Sequence, residues 1–405
     1  MVKKKISFIH AADLHLDSPF NGLSDLHETQ FQEVRESTFK ALENLVTTAI
    51  KREVDFIVLV GDLFDNDKQS LKAQIKLRNA FEKLQAHQID VYVSYGNHDY
   101  TSGNIYPITY PENVHIFQDE QVRSFTYVKD NTPLAMIYGF SYENRAVIHN
   151  KAHEYKKGDA TIPFHIAMLH GSIESNTDHD TYAPFQVGQL VQADFDYWAL
   201  GHIHKREILK ENPYIIYPGN IQGRNRKEIG PKGCYYVELT ETQQLVEFVP
   251  LQAVQYHTLT VDLVDCDSIH QVEEILTNTL KKIPASVPQL LDVSIRGGTK
   301  LWEWKNDDVL DELIEIINES FSSQRNWLYI FRYSVIEGET VHQLEGDYFI
   351  GEIKNKLEEF TGGEHISEIY QHKEARKYLD HLDADELKEI NKEAYELLIH
   401  KLFQE

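Results

Sequence analysis

Residues 54–65 read VDFIVLVGDLFD. Residues 54–60 are apolar except for Asp55, and Gly61 and Asp62 follow at once. A short run rich in β-branched residues is the pattern of a strand buried on both faces. The carboxylate behind the glycine is not something such a strand needs for its own stability. The same arrangement recurs along the chain. Residues 6–9 lead to Asp13 and His15, and residues 91–93 lead to Gly96-Asn97-His98-Asp99. Residues 164–169 lead to His170-Gly171, and residues 197–200 to Gly201-His202-Ile203-His204. Between the first two strands lies a long helical stretch with Phe31, Val34, Leu42, Leu45 and Ala49 on one face. Residues 71–84 form another helix, with Leu71, Ile75, Ala80, Phe81 and Leu84 at helical spacing. Strand, helix, strand in this order predicts a largely parallel sheet with helices on its faces. In such sheets ligands gather at the carboxyl ends of the strands.

Five strand ends therefore deliver aspartates, an asparagine and histidines to one edge. Each cluster alone has an ordinary structural reading. Gly61-Asp62 is a turn, Asn97-His98-Asp99 a loop closed by its own side chains, and His170 a satisfied histidine. Their joint placement points to metal instead. Carboxylate, amide oxygen and imidazole together suit manganese, iron or zinc better than calcium or magnesium. The glycines before Asp62, Asn97 and His202 let the chain turn sharply at each strand end.

Composition narrows the rest. At 405 residues, 41% of them hydrophobic, the chain is long enough for two or three packed domains and is not a disordered polymer. No apolar run is long enough to span a membrane, and the run after Met1–Lys5 is too short for a signal peptide. Two cysteines, Cys234 and Cys266, fit free thiols in a cytoplasmic protein. A net charge of −24 excludes a general electrostatic attraction for nucleic acid, so a polyanion would have to be held by bound cations or a local basic strip. Arg224, Arg226 and Lys227, with Lys232, form the best such strip. It reads either as a phosphate-backbone contact or as a solvated loop. No Gly-x-x-x-x-Gly-Lys-Ser/Thr loop is present, so the chain is not expected to bind ATP itself.

Beyond residue 254 the pattern changes. Strands over residues 258–263, 290–295 and 327–335 alternate with helices over 269–280 and 309–321, and residues 297–300 read as a turn. This is a small βαβαβ domain with few catalytic residue types. Residues from 346 onward are helical. Asp383 and Glu386 form a capping box for a last helix with Leu387, Ile390, Ala394 and Leu397 as its apolar stripe.

The set Asp13-x-His15, Gly61-Asp62-Leu63-Phe64-Asp65, Gly96-Asn97-His98-Asp99, His170-Gly171 and Gly201-His202-Ile203-His204 resembles the calcineurin-like metallophosphoesterase superfamily. The opening FIHAADLHLDSPF (residues 8–20) and Tyr217-Pro218-Gly219-Asn220 resemble SbcD-type DNA repair exonucleases, in the YhaO-type bacterial branch. The resemblance implies an α/β fold, a metallophosphoesterase β-sandwich flanked by helices over residues 1–254. A small α/β capping domain over 255–345 and a C-terminal helical docking segment over 346–405 would follow. It implies two divalent ions per chain, manganese first, with iron or zinc as the other candidates. Asp13, His15, Asp62 and His204 would hold one ion, and Asp62, Asn97, His170 and His202 the other, with Asp62 bridging. His98 would meet the leaving oxygen, and Asp99 would orient its neighbours. Asp65 stands where some archaeal and eukaryotic relatives carry a histidine, and is not read as catalytic.

The implied activity is that of a metal-dependent DNA exonuclease, in which a metal-bridged hydroxide attacks the phosphodiester. The implied partners are DNA, an SMC-like coiled-coil ATPase and a second copy of the chain, with no membrane. A phosphodiesterase or phosphatase of nucleotides or other small phosphoesters is the alternative.

Overall fold

The structure, a computed structural model, describes residues 4–20, 22–23, 25–65, 69–103, 108–174 and 182–337, together with isolated positions between 352 and 398. The described residues fall into two compact units. One is drawn from Met1–Pro19, His27–His257 and Ser286–Leu290, the other from Phe20–Leu26, Thr258–Ala285 and Leu291–Glu405.

The first unit opens with strand β1 (Lys5–Ala11), helices α1 (Glu28–Arg35) and α2 (Ser37–Lys51), β2 (Phe56–Val60), α3 (Leu71–Ala86), β3 (Asp90–Ser94) and β4 (Val114–Ile116). It continues through β5 (Arg123–Lys129), β6 (Thr132–Gly139), β7 (Phe164–His170), α4 (Val187–Gln192), β8 (Tyr197–Gly201), β9 (Glu207–Glu211), β10 (Tyr214–Tyr217), β11 (Gly233–Thr240) and β12 (Gln244–Pro250). Two six-stranded sheets result, in the orders β12-β11-β1-β2-β3-β4 and β5-β6-β7-β8-β10-β9. Within the first, β1 to β4 are parallel and β11 and β12 antiparallel. Within the second, β6, β7, β8 and β10 are parallel.

Strand alternation explains why so many runs are apolar throughout. Phe56, Val58 and Val60 of β2 point into a core between the sheets, where Ile166, Met168, Tyr197 and Ala199 meet them. Ile57 and Leu59 point the other way, into a core with Leu42, Leu45, Leu77 and Phe81 of α2 and α3. Ala167, Leu169, Trp198 and Leu200 cover the outer face of the second sheet. Strands buried on both faces need apolar residues at every position. This is the mixed α/β sandwich flanked by helices that the resemblance implied.

Three helical expectations change. The single helix between β1 and β2 is two, α1 and α2, meeting at Glu36. The buried stripe of α3 is Ala73, Leu77, Ala80, Phe81 and Leu84, whereas Leu71 is 51% and Ile75 36% exposed. A 3.6-residue period places positions 73, 77, 80, 81 and 84 on one face, and 71 and 75 fall on the other. The turn expected at residues 297–300 instead opens a helix, as Leu301 and Trp302 bury themselves in the core of the second unit.

That second unit contains β13 (Gln255–Asp262), α5 (Ile269–Leu280), β14 (Gln289–Gly297), α6 (Thr299–Asn306), α7 (Val309–Ser322) and β15 (Leu328–Glu337). Its sheet runs β13-β14-β15, and side chains from α5, α6 and α7 share its core. Ser268 caps α5 through a reciprocal box with Gln271. The unit also claims residues 20–26, whose Asp25 carbonyl accepts the Tyr329 hydroxyl at 2.8 Å. The capping box of the last expected helix and Leu397 lie outside the described residues, while Leu387, Ile390 and Ala394 have helical backbone. No helix among the described residues is long and apolar enough to cross a membrane.

Candidate metal centre

The loops after β1 and β2 run side by side as a main-chain zipper. The amides of Asp13, His15 and Leu16 donate to the carbonyls of Gly61, Asp62 and Leu63 at 3.2, 3.0 and 3.0 Å. The zipper holds Asp13, His15 and Asp62 at φ 51°, 41° and 50°. Left-handed backbone at non-glycine residues costs about 1–3 kcal/mol each and is tolerated where the surroundings impose it. His202, at φ 96°, joins this group from the second sheet, its amide donating to both Asp13 carboxylate oxygens at 3.0 and 3.2 Å.

All seven candidate ligands meet at this edge. Asp13, His15 and His204 form one group and Asp62, His170 and His202 a second, with the donor atoms of each group within 4.8 Å of one another. Asn97 belongs with the second, its Oδ1 lying 3.0 Å from His170 Nε2 and 3.2 Å from His202 Nδ1. Asp62 reaches both groups, with Oδ2 3.5 Å from His170 Nε2 and 3.9 Å from His15 Nε2.

The donor set fits a pair of cations. His170 Nδ1 donates to the Val60 carbonyl at 3.1 Å, which turns Nε2 toward the oxygens of Asn97 and Asp62. A cation, or a second proton on His170, would bridge atoms so arranged. In the first group His15 Nε2 and His204 Nε2 face each other at 3.0 Å. The other nitrogen of His204 is committed to Glu228 Oε1 at 2.8 Å, and that of His15 lies 3.6 Å from Asp65 Oδ1. With its Nδ1 proton donated to Glu228, His204 turns the Nε2 lone pair toward His15 Nε2, an approach that a shared cation would fit.

Electrostatics point the same way. Burial, then the Arg224 guanidinium and His204, hold the His15 imidazole well below its usual range, so that it is neutral. Burial opposes charge on His170, but the Asp62 and Asp13 carboxylates outweigh it and lift that imidazole to about 9. Burial likewise disfavours the Asp62 carboxylate, yet His170 and His98 hold it well below the ordinary carboxylate range.

The glycines serve this site more by absence of a side chain than by sharp turns. A Cβ on Gly61 would lie 2.2 Å from His170 Nδ1, one on Gly96 2.3 Å from Asp62 Oδ1, and one on Gly201 2.0 Å from the Val60 carbonyl. Of the three, Gly61 alone also has a positive φ, 74°.

His98 stands beside the ligands. Its amide donates to Asp62 Oδ1 at 3.0 Å and its ring packs edge-on against His15, centroids 5.1 Å apart. Its Nδ1 donates to the Asp65 carbonyl at 2.8 Å, which leaves Nε2 for a substrate. Asp99 accepts from the amides of Leu63 at 2.6 Å and Gly96 at 2.7 Å, tying the loops after β2 and β3 together. Burial, then the Asp62 charge, push its carboxyl up to about 7.

The basic strip divides. Arg224 turns inward, its Nη1 donating to Asp65 Oδ1 at 2.6 Å. Lys232 is buried and donates to the His204 carbonyl at 3.0 Å. Lys227 is exposed and Arg226 half-buried. Sequence reading missed Glu228 altogether. The available signal was a carboxylate eight residues after Asn220, in the loop that follows a strand and Pro218-Gly219.

The chain belongs to the calcineurin-like phosphoesterase family, whose model matches residues 6–206. It is 36% identical over 400 residues, 98% of each chain, to YhaO of Bacillus subtilis strain 168, described as an uncharacterized metallophosphoesterase. It is 24% identical over 303 residues to the DNA double-strand break repair protein Mre11 of Thermoplasma acidophilum, covering 70% of this chain and 76% of that one. With the D component of the nuclease SbcCD of Staphylococcus epidermidis it shares 25% identity over 284 residues, 62% of this chain and 71% of the relative. Fold, family and two clusters of metal-ligating side chains define a metal-dependent hydrolase of phosphoesters.

Proposed function

We propose that the chain is a two-metal phosphodiesterase acting on DNA, the nuclease subunit of an SbcD-like repair complex. The observation that carries this reading is the convergence of seven ligand side chains and His98 on one sheet edge. Similarity to Mre11 over 303 residues supports DNA as the substrate, because it extends beyond the 6–206 family region.

Asp13, His15 and His204 would hold one ion and Asn97, His170 and His202 the other, with Asp62 serving both. Manganese suits this mixture of carboxylate, amide and imidazole, with iron or zinc as alternatives. When bound there, two such ions would supply Lewis-acid charge for a phosphodiester and for an attacking water. The protein's own groups do the rest. His98, fixed through Nδ1, leaves Nε2 to face the leaving oxygen, where a proton donor would act. Asp99 keeps the loops of Asp62 and Asn97 in register. Arg226 and Lys227 extend along the phosphate backbone, and residues 346–405 dock on a coiled-coil ATPase.

A second reading, hydrolysis of small phosphoesters, is favoured by the net charge of −24 and by the inward turn of Arg224 and Lys232. The deciding assay uses end-labelled linear duplex DNA and bis-p-nitrophenyl phosphate, each with Mn²⁺, with and without the ATPase. Manganese-dependent degradation of the DNA is the expected result. Hydrolysis of the small diester alone, with DNA intact even beside the ATPase, would replace this reading with the second.

A further inference from the structure

The two ligand groups are supported in different ways. In the second, His170 is held by a main-chain carbonyl and by the glycines around its ring. In the first, support comes from a chain of side chains. His204 Nδ1 donates to Glu228 Oε1 at 2.8 Å. Glu228 Oε2 accepts from Asn220 Nδ2 and from the Arg224 amide, both at 2.7 Å. Arg224 Nη2 lies 3.2 Å from His204 Nδ1 and 3.6 Å from Glu228 Oε1, while Nη1 donates to Asp65 Oδ1 at 2.6 Å. Ser18 Oγ donates to the same Asp65 oxygen at 2.8 Å and lies 3.0 Å from the His15 carbonyl. The Asp65 carbonyl is also the acceptor that fixes His98.

We propose that Asp65, Arg224 and Glu228 are positioning residues for the first cation group, and that Arg224 joins their two carboxylates instead of contacting a nucleic-acid phosphate. The belt runs from His15 through Ser18, Asp65, Arg224 and Glu228 to His204, so both ends are candidate ligands. A carboxylate on the distal nitrogen of a ligating histidine fixes its tautomer and ring orientation and raises its basicity. Glu228 does this for His204. Arg224 is suited to the centre because a planar fork can face two carboxylates at once, which a lysine ammonium cannot do with the same geometry. Its side chain is only 18% exposed, with Nη1 on Asp65 and Nη2 between Glu228 and His204, so little of it remains for a substrate. None of these three residues need touch the ion.

This inference rests on the two-cation reading, and the test separates the two. Mn²⁺ binding to the full chain is titrated calorimetrically for wild type, Glu228→Ala, Glu228→Gln, Arg224→Lys and Arg224→Leu, with thermal melts of each. Wild type should bind two ions. Glu228→Ala and Arg224→Leu should weaken one site by about 10–100-fold while the other stays within about threefold. Glu228→Gln, which keeps an acceptor for His204, should recover part of the loss, and Arg224→Lys should fall between wild type and Arg224→Leu. Equal weakening of both sites would mean general structural damage and overturn the proposal. So would unchanged Mn²⁺ binding in the Arg224 variants, with a DNA-binding salt slope reduced by about 0.9, because that is the loss of one phosphate contact. If Glu228→Ala does not fold, Glu228→Gln and Arg224→Lys carry the same comparison. A wild-type chain that binds fewer than two ions would count against the two-cation reading itself.

Discussion

Strand β2 has an aspartate at each end, Asp55 just before it and Asp62 just after, and both are buried. Their surroundings differ. Asp55 accepts from the Ser7 amide at 2.8 Å, the Tyr127 hydroxyl at 3.1 Å and Lys129 Nζ at 2.5 Å. The protein supplies its donors and its countercharge. Asp62 accepts one amide, from His98 at 3.0 Å, and otherwise faces the His170 and His15 imidazoles at 3.5 and 3.9 Å, which it shares with Asn97 and His204. A buried carboxylate is stable only when its charge is met. At Asp55 the fold meets it, whereas at Asp62 the ligand histidines meet it only in part and a bound cation would complete the arrangement. Burial does not distinguish a structural acid from a functional one. What distinguishes them is whether the neighbours are donors or competing acceptors.

Three substitutions sharpen this contrast, beginning with the largest effect. His98→Ala should lower phosphodiester hydrolysis by about 10²–10⁴, the usual contribution of a positioned proton donor, while both ions stay bound. Loss of Mn²⁺ from that variant, or near-normal turnover, would remove His98 from the role assigned to it. At the other end of the strand, Asp55→Ala should leave turnover and Mn²⁺ binding unchanged and destabilise the fold by about 1–3 kcal/mol, chiefly by orphaning the Ser7 amide and Tyr127 hydroxyl. Lys129, whose side chain is 49% exposed, adds little to that loss. Chemical denaturation measures it, and a fall in activity without a fall in stability would erase the distinction between the two ends.

The third and smallest effect concerns His10, a histidine that the fold satisfies in the way it satisfies Asp55. It lies in β1, fully buried, with Nδ1 3.0 Å from the Tyr197 hydroxyl and Nε2 3.0 Å from the Leu200 carbonyl. Burial lowers its pKa from 6.5 to about 3. Between those values the unfolded chain binds the extra proton. His10 therefore costs no stability above about pH 6.5, and stability is lost as pH falls from there toward 3. The slope is at most about 1.4 kcal/mol per pH unit for one proton. His10→Gln should flatten the acid limb of the stability curve by that single proton. An unchanged slope would mean that His10 is already charged in the folded protein.

The sandwich and its ligand-bearing edge were legible because parallel strands buried on both faces leave continuous apolar runs. The polar residues that end those runs then stand out. Strands β5, β9 and β12 were not legible, since they lie at sheet edges with mostly exposed or half-buried side chains and no comparable run. The α3 stripe was misjudged because Leu71 and Ile75 are apolar yet exposed. Arg224 and Lys232 looked like part of a surface strip, because their partners Asp65 and His204 are 159 and 28 residues away in sequence. Residues 20–26 sit between motif-bearing stretches of the first unit yet belong to the second, where Leu23 and Leu26 are buried. Tertiary partners of this kind leave no periodic trace.

The edge beyond Val60 is expected to hold two cations, with Asp62 serving both. Equilibrium dialysis against Mn²⁺, with metal counted per chain in wild type, Asp62→Asn and Asp55→Asn, tests it most directly. Two ions should be found in wild type and in Asp55→Asn, and no more than one, weakly held, in Asp62→Asn. Two tightly bound ions in Asp62→Asn, or loss of metal from Asp55→Asn, would contradict the account.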